Sequence, residues 1–350
     1  RILDIRERGQ DINLEFSYDV LALRAFLQQI DRDISRPAIN ASIERSGDTF
    51  TVTPEIQGIG INVDKTIGQI AQDLKTLDFS PKPVVVFDKI PSITSNMLSD
   101  IDTRWSIFST VFNPENVGRS ENIKISSQAI DGMLLGPGQV FSFNDATGLR
   151  IAENGYQEAP VIFEGQLVPG VGGGVCQVSS TLYNAALYAN LEIVERHRHT
   201  IPSAYIDMGR DATVVDKVLD LKFRNNSDGY LYIASWVQGN RVYTAVYGKK
   251  RAQDIKVNIS TEVVEVIEPV TEVVLDHALP AGQEVVEREG RKGYRVRAYR
   301  RVTTDGKAGE IELLYTDLYR PENRLIRRSA QPVVVDSPSE SDEHSVGNII

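Results

Sequence analysis

The spacing of apolar residues near the start of the chain predicts two amphipathic helices with a hairpin between them. A first segment repeats apolar residues at helical spacing, at Leu23, Phe26, Leu27, Ile30 and Ile34. A second segment, which Asp64 can cap, does so at Ile67, Ile70, Ala71, Leu74 and Leu77. Alternating apolar positions around residues 46–48 predict the hairpin, and residues 84–87 predict a closing buried strand. Residues 1–90 are therefore expected to form a small α+β module.

The end of the chain carries a different pattern, in which short apolar runs alternate with charged residues. Glycines punctuate residues 253–328 at Gly282, Gly290, Gly293, Gly306 and Gly309. The Thr-Asp-Gly at 304–306 predicts a hairpin turn. We expect an elongated all-β module here with exposed sheet faces. A polar, acidic and disordered tail is expected at 329–350.

Glycine-rich turns mark the middle of the chain, residues 106–250, which follow a predicted linker at 91–105. The densest run, residues 170–174, leads directly into a helical repeat of apolar residues at Val178, Leu182, Ala185, Ala186 and Ala189. The chain is therefore predicted to be a multidomain α+β protein. Its parts are a small α+β N-terminal module, a glycine-rich α+β central domain and an elongated all-β C-terminal module.

Composition narrows the possible functions. The 350 residues carry a net charge of -10, which argues against a nucleic-acid partner. No stretch approaches the roughly 18 apolar residues that span a bilayer. Because the chain starts at Arg1 and not at methionine, we expect an export signal or membrane anchor in a preceding segment. A single cysteine rules out an internal disulfide framework and leaves the compartment open.

The single cysteine, Cys176, lies where the glycine run meets the predicted helix. At a helix N-terminus, unpaired N–H groups and the macrodipole favour a thiolate and lower the pKa of the thiol. The same N–H groups could bind an oxyanion, and the glycines would let a substrate approach the backbone. The alternative is that Cys176 is a small buried residue and the glycines only form a tight turn.

Two of the four histidines, His197 and His199, follow a predicted strand at 191–194. Alternation along a strand would point both toward one face. A cysteine, a histidine and an orienting acid form the usual cysteine acyl-transfer site, and the candidate orienters are Asp207, Asp211 and Asp220. Two alternatives stay open. Both histidines could face solvent, or they could hold zinc together with Cys176, with one open position.

Four motifs in this order resemble the VanW-type family, named after an accessory protein of vancomycin-resistance clusters. They are Pro-Gly-Gln-Val-Phe-Ser-Phe-Asn at 137–144, Gly-Gly-Gly-Val-Cys-Gln-Val-Ser-Ser-Thr-Leu-Tyr-Asn at 172–184, Glu-Arg-x-x-His at 195–199 and Gly-x-Asp-Ala-Thr-Val at 209–214. The resemblance covers residues 105–240 and favours His199 over His197 as the catalytic histidine. Residues 1–90 resemble a peptidoglycan-binding domain, and residues 253–328 resemble a G-five domain of surface proteins. The resemblance implies an exported, envelope-located protein with a wall polymer as partner, and it names no reaction.

Two functions are expected from these observations. In the first, Cys176 is the nucleophile and His199 the base of a transpeptidase or peptidase acting on peptidoglycan peptides, with Asp211 or Asp220 as orienter. The candidate substrate-binding residues are Gly172, Gly173, Gly174, Gln177, Ser179, His197, Tyr205 and Arg210. In the second, the protein is a non-catalytic wall-binding, adhesion or scaffold protein. Neither function calls for a cofactor, and neither fixes the oligomeric state.

Overall fold

The computed structural model describes residues 17–163 and 166–331. Helices make up 22% of it and strands 41%, in several small sheets, so the α+β prediction is confirmed. The chain divides into two compact units, Arg1–Asp102 and Thr103–Ile350, and each is described by itself. The predicted disordered tail at 329–350 falls almost entirely outside the described residues.

The first unit contains three helices and four strands within its described residues. In chain order they are α1 (Val20–Ile34), β1 (Ser42–Ser46), β2 (Thr49–Thr53), β3 (Gly58–Ile61), α2 (Val63–Lys75), β4 (Val86–Lys89) and α3 (Ser95–Leu98). Strands β1 and β2 form the predicted hairpin, with Ser46 paired to Thr49. Gly47, at the turn, has a φ of 64°, which glycine adopts without steric cost.

Two details of this unit differ from the sequence prediction. Asn62, not Asp64, caps α2, because its side-chain oxygen lies directly before the first helical residue and accepts a backbone N–H at 3.0 Å. Asp64 instead pairs with Arg24 of α1. The closing strand β4 is not buried, since it has one partner in a two-stranded sheet. Val86 and Phe87 are accordingly 47% and 46% exposed.

The first part of the second unit is built around one central helix. Its elements are β5 (Thr103–Val111), α4 (Val117–Ile130), β6 (Met133–Leu135), β7 (Val140–Ser142), α5 (Phe143–Thr147), a 3-10 turn (Ala152–Asn154), β8 (Glu158–Phe163), β9 (Gln166–Val171), α6 (Val175–Tyr188), β10 (Glu192–Glu195), β11 (Lys222–Arg224), β12 (Leu231–Gln238) and β13 (Arg241–Gly248). The strands form an antiparallel sheet of order β5-β13-β12-β6, a second sheet of order β10-β11-β7 and the hairpin β8-β9. Helix α6 packs against β5 and β13 of the larger sheet.

Helix α6 is buried on its polar side as well as on its apolar side. The five apolar positions predicted to face the core are all 0% exposed, and so are Thr181 and Asn184. Thr181 is hydrogen-bonded to Thr110 of β5 at 2.8 Å, and Asn184 donates to the Arg210 carbonyl at 2.8 Å. Burial of these polar groups is tolerated because each has a partner. Periodicity alone could not predict it, because a polar stripe on a helix usually faces solvent.

The glycine run forms the tight turn at which α6 begins. Gly172 and Gly174 have φ angles of 90° and 106°, which residues other than glycine rarely adopt. A Cβ at Gly173 would lie 2.6 Å from the Pro160 carbonyl oxygen, and one at Gly174 would lie 2.9 Å from Cγ of Arg119. The Cβ positions of Gly173 and Gly174 therefore face protein, so a side chain at either position would clash, and the approach of a substrate to this turn stays a prediction.

The second part of this unit is all-β, as predicted. Its strands are β14 (Ile255–Ile267), β15 (Thr271–Asp276), β16 (Glu284–Arg288), β17 (Gly293–Thr304), β18 (Lys307–Tyr319) and β19 (Arg324–Ser329). They form two three-stranded sheets, of order β14-β17-β18 and β15-β19-β16. The predicted hairpin turn joins β17 to β18, with φ angles of 49° at Asp305 and 78° at Gly306.

Candidate functional site

The candidate site begins at the first turn of α6. Gly174 caps this helix, so Cys176 is the second helical residue, where backbone N–H groups are unpaired and the macrodipole is positive. The N–H of Gln177 donates to the Gly174 carbonyl at 3.0 Å, whereas the N–H of Cys176 has no acceptor among the described residues. The thiol is half-buried, and its Sγ donates to the Val214 carbonyl at 3.5 Å.

His199, from the loop after β10, is the partner of the thiol. Its side chain is 4% exposed and lies beside Cys176, and each of the two groups shifts the pKa of the other. Nδ1 and the backbone N–H of His199 each lie 2.6 Å from Oδ2 of Asp211. Because the carboxylate accepts the Nδ1 proton, Nε2 is the nitrogen that can exchange a proton with the thiol. The Tyr205 hydroxyl lies 3.5 Å from the same Nε2.

Asp211 is held by a buried charge network that extends into the C-terminal sheet. Arg196 donates to Oδ1 of Asp211 at 3.0 Å and to both carboxylate oxygens of Asp317 at 2.8 and 2.7 Å. The Tyr319 hydroxyl donates to Oδ1 of Asp211 at 2.5 Å and accepts the Gly209 N–H at 2.7 Å. The side chains of Arg196 and Asp211 are 1% and 2% exposed. Since Asp317 and Tyr319 belong to β18, the all-β part of the unit completes the site.

The network shifts the pKa values of all three groups of the candidate triad. Burial alone would raise the pKa of Asp211, but the His199 hydrogen bond and the Arg196 charge lower it to about 2. Burial alone would lower the pKa of His199, but its hydrogen bonds with Asp211 and Cys176 raise it to about 9. Burial also opposes ionisation of Cys176, yet the hydrogen bond and charge of His199 lower the pKa of the thiol. These shifts favour a thiolate beside an imidazolium.

A groove of about 660 Å³ opens over the thiol. Three arginines that no sequence motif indicated line it together with the glycine turn: Arg119 of α4, Arg150 and Arg291. Arg150 is buried and paired with Asp216. A Cβ at Gly172 would lie 3.2 Å from Cβ of Arg150, just as Gly174 lies against Arg119. The glycine turn therefore packs between two arginine stems, a relationship that spacing along the chain does not reveal.

The structure separates two predicted residues from the thiol. Asp220 accepts hydrogen bonds from the Ser142 hydroxyl at 2.6 Å and the Asn144 N–H at 2.9 Å. It thus fixes the start of α5, and Asp211 takes the orienting position beside His199. His197 is bonded to Glu195 at 3.0 Å. Strand β10 ends at Glu195, before both histidines, so strand alternation does not place the two histidines on one face. The described residues contain no group of three histidine, cysteine or acidic side chains placed to hold a metal, so the zinc alternative has no support.

Three further candidate substrate-binding side chains are engaged by the protein itself. Gln177 and Ser179 are 0% exposed, although the Gln177 position borders the groove. Arg210 lies over the rings of two aromatic residues of the unit. Gln177 donates a hydrogen bond to Thr110 at 2.9 Å, and Ser179 donates to the Ala212 carbonyl at 2.6 Å. Arg210 donates to Asn184 at 2.8 Å. These hydrogen bonds connect α6 to the elements around it. Tyr205 and the three glycines line the groove.

Three family models match the chain, in the predicted order. Residues 118–247 match "VanW like protein", residues 2–81 match "Putative peptidoglycan binding domain" and residues 259–330 match "G5 domain". YoaR of Bacillus subtilis is 34% identical over 223 residues, which cover 63% of this chain and 73% of YoaR. The chain belongs to the VanW family.

Other proteins are similar to parts of this VanW-family chain. Vancomycin B-type resistance protein VanW of Enterococcus faecalis is 28% identical over 137 residues, which are 38% of this chain and 50% of that protein. The IgA1 protease G5 domain is 18% identical, covering 23% of this chain and 95% of its own, with a TM-score of 0.20. HP0197-G5 is 26% identical, covering 22% of this chain and 99% of its own, with a TM-score of 0.15.

The domain content of the VanW-family chain is that of a wall-associated protein of the cell envelope. A peptidoglycan-binding match precedes the VanW match, and a G5 match follows it. Within residues 17–163 and 166–331, no helix is long and apolar enough to cross a bilayer.

The link between Tyr319 and Asp211 predicts a loss of stability on removal of one hydroxyl. We expect Tyr319→Phe to lower the free energy of unfolding by about 1–3 kcal/mol, because buried groups lose hydrogen-bond partners. Urea denaturation measures this. The matched control is Tyr299→Phe, whose hydroxyl bonds the exposed Glu262 at 3.2 Å, with an expected cost below about 0.5 kcal/mol. Equal effects of the two changes would contradict the structural role of Tyr319.

The pairing of Cys176 with His199 predicts the pH dependence of thiol alkylation. The rate with iodoacetamide should reach half of its maximum below the free-thiol pKa of about 8.5. His199→Ala should move that midpoint upward, because burial then opposes ionisation without the imidazolium. His197→Ala should leave it in place, since His197 is bonded to Glu195. An unchanged midpoint in His199→Ala would show that the histidine does not activate the thiol.

Proposed function

We propose that this protein is a cysteine-dependent acyl transferase or peptidase acting on the peptides of peptidoglycan. One observation carries the proposal: Cys176, His199 and Asp211 lie in series at an open groove, with His199 hydrogen-bonded to Asp211 and interacting electrostatically with Cys176. A thiol beside an imidazole that a carboxylate orients is the arrangement used for nucleophilic acyl transfer. The peptidoglycan-binding match supplies the substrate class.

The protonation states suggest the order of steps. The thiolate of Cys176 attacks the carbonyl carbon of a peptide bond, and the unpaired N–H of Cys176 is a donor for the oxyanion that forms. The imidazolium of His199 gives its Nε2 proton to the amine that leaves as the C–N bond breaks, and a thioester remains on Cys176. Water or a second amine then attacks the thioester, His199 takes the proton, and the thiolate is released. Water gives hydrolysis, and an amine gives transpeptidation.

Asp211 is a positioning residue in this mechanism. It accepts the Nδ1 proton of His199 and fixes the imidazole in the orientation that presents Nε2. The low pKa of Asp211, about 2, keeps it ionised while His199 changes protonation state. Arg196 and Tyr319 hold the carboxylate in place from the side away from the histidine.

The flanking modules would keep the protein on its substrate. We propose that residues 1–90 and 253–328 bind the wall while residues 106–250 carry the chemistry. When either module is bound to the wall, the wall peptides stay close to the groove, so their effective concentration at the groove is higher. The all-β module has a second role here, because it supplies Tyr319 and Asp317 to the site.

A non-catalytic wall-binding role is the second candidate. It is favoured by the half-buried state of Cys176 and by the hydrogen bond from its thiol to the Val214 carbonyl, as expected of a packing cysteine. In that case the groove would bind a wall peptide without cleaving it.

Turnover on purified peptidoglycan separates the two functions. Mass spectrometry should show new peptide products with the wild-type protein, and Cys176→Ser should lower the rate by at least about a hundredfold. The rate should fall as pH rises through about 9, because His199 then loses the proton that the leaving amine needs. Binding to the wall should persist in Cys176→Ser. Binding without products by either protein would favour the non-catalytic role.

A further inference from the structure

One guanidinium in the groove has no counter-charge among the described residues. Arg119 is half-buried and lines the groove, and its side chain has no hydrogen bond or ion pair with any described residue. Its guanidinium carbon lies 5.9 Å from the centre of the Tyr205 ring. Such a cation–π contact leaves the five N–H donors of the fork unused. A partly desolvated cation of this kind is unfavourable until a ligand supplies an anion.

The other arginines that line the groove are neutralised. Arg150 is paired with Asp216, and Arg291 is paired with Glu322 at 2.7 Å. Burial lowers the pKa of Arg119, and the groups that oppose this effect are Tyr205 and Cys176, neither of which is a carboxylate. Arg119 is thus the lining arginine that carries an unbalanced positive charge among the described residues.

Arg119 is also close to the thiol. Its Cγ and its carbonyl oxygen lie 2.9 and 3.0 Å from the Cβ position of Gly174, which caps the helix of Cys176. Helices α4 and α6 therefore begin side by side, and their N-terminal partial charges add to the positive potential of the guanidinium. An anion bound there would sit within a short peptide's reach of the sulfur.

We propose that Arg119 binds a free carboxylate of the peptide that Cys176 attacks, most directly its C-terminal carboxylate. A guanidinium fork matches a carboxylate with two parallel hydrogen bonds, which fixes the peptide's position. The site would then act at the free end of a wall peptide, by trimming or exchanging its last residues, and not in the middle of a cross-link. This inference rests on the proposed function for its reaction, but the binding itself can be measured without turnover.

The test uses a protein without the thiol, so that catalysis and thiolate charge play no part. Calorimetry on Cys176→Ala would compare a synthetic wall stem peptide with a free C-terminus, the same peptide as a C-terminal amide, and a form amidated only on its side-chain carboxylate. We expect C-terminal amidation to weaken binding about tenfold, the usual effect of one charge-assisted contact. Adding Arg119→Gln should abolish that difference. The control Lys124→Gln removes an exposed cation of the same helix, and the difference in affinity between the free and the amidated peptide should persist in it.

Each outcome of this comparison decides the inference. A loss of affinity on either amidation that depends on Arg119 supports carboxylate binding, and the form affected identifies the carboxylate. Equal binding of all three peptides, no binding of any, or a difference that persists in Arg119→Gln would overturn it. Carboxylate-dependent binding by a wild-type protein that yields no products would leave this inference standing while the proposed reaction fails. Turnover by a protein that binds the free and the amidated peptides equally would support the proposed reaction and overturn this inference.

Discussion

The buried carboxylate of Asp211 is the group on which the candidate site depends. It is bonded at once to His199, Arg196 and Tyr319. A carboxylate with almost no exposure would ordinarily take up a proton, because a low dielectric disfavours charge. Donors on both oxygens and the adjacent guanidinium reverse that preference, and the ionised Asp211 in turn keeps His199 protonated. The lowered pKa of Cys176 then follows from the imidazolium at its side.

The same network connects the VanW and G5 parts of the chain through buried ion pairs and hydrogen bonds. Arg196 bridges Asp211 of the first part and Asp317 of the second, so removing either carboxylate would leave the buried guanidinium with one anionic partner in place of two. Tyr319 adds a second connection through Asp211 and the Gly209 N–H. A G5 module could be regarded only as a wall-binding attachment. In this protein it also holds Asp211, the residue that is hydrogen-bonded to His199.

The local sequence pattern predicted those elements whose structure is determined by residues that are neighbours in the chain. The helix behind the glycine run, the hairpin at Asp305 and the position of Cys176 at a helix start follow from short-range rules. Asp220 was as good a candidate orienter as Asp211 on sequence grounds, because both are isolated acids after the histidines. What separates them is contact with Tyr319, which lies 108 positions from Asp211 along the chain.

Arg196 and Asp317 could not be predicted from the sequence, because they are partners that lie far apart in the chain. Arg196 and Asp317 are separated by 121 positions, and no spacing rule connects them. Arg119 could not be predicted for another reason: no motif marks it, and no described residue is a hydrogen-bond or ion-pair partner of its side chain. The packing of the glycine turn against Arg119 and Pro160 could not be predicted either, because these two residues come from other elements.

The proposed reaction requires that Cys176 form a covalent acyl intermediate with a wall peptide. Mass spectrometry of the protein after a brief incubation with peptidoglycan fragments and an acid quench, which preserves a thioester, would detect it. We expect the Cys176-containing peptide to gain the mass of a wall peptide acyl group. We also expect treatment with hydroxylamine to remove that mass and Asp211→Asn to reduce its yield. Unmodified Cys176 in protein that is saturated with bound fragments would rule out this intermediate.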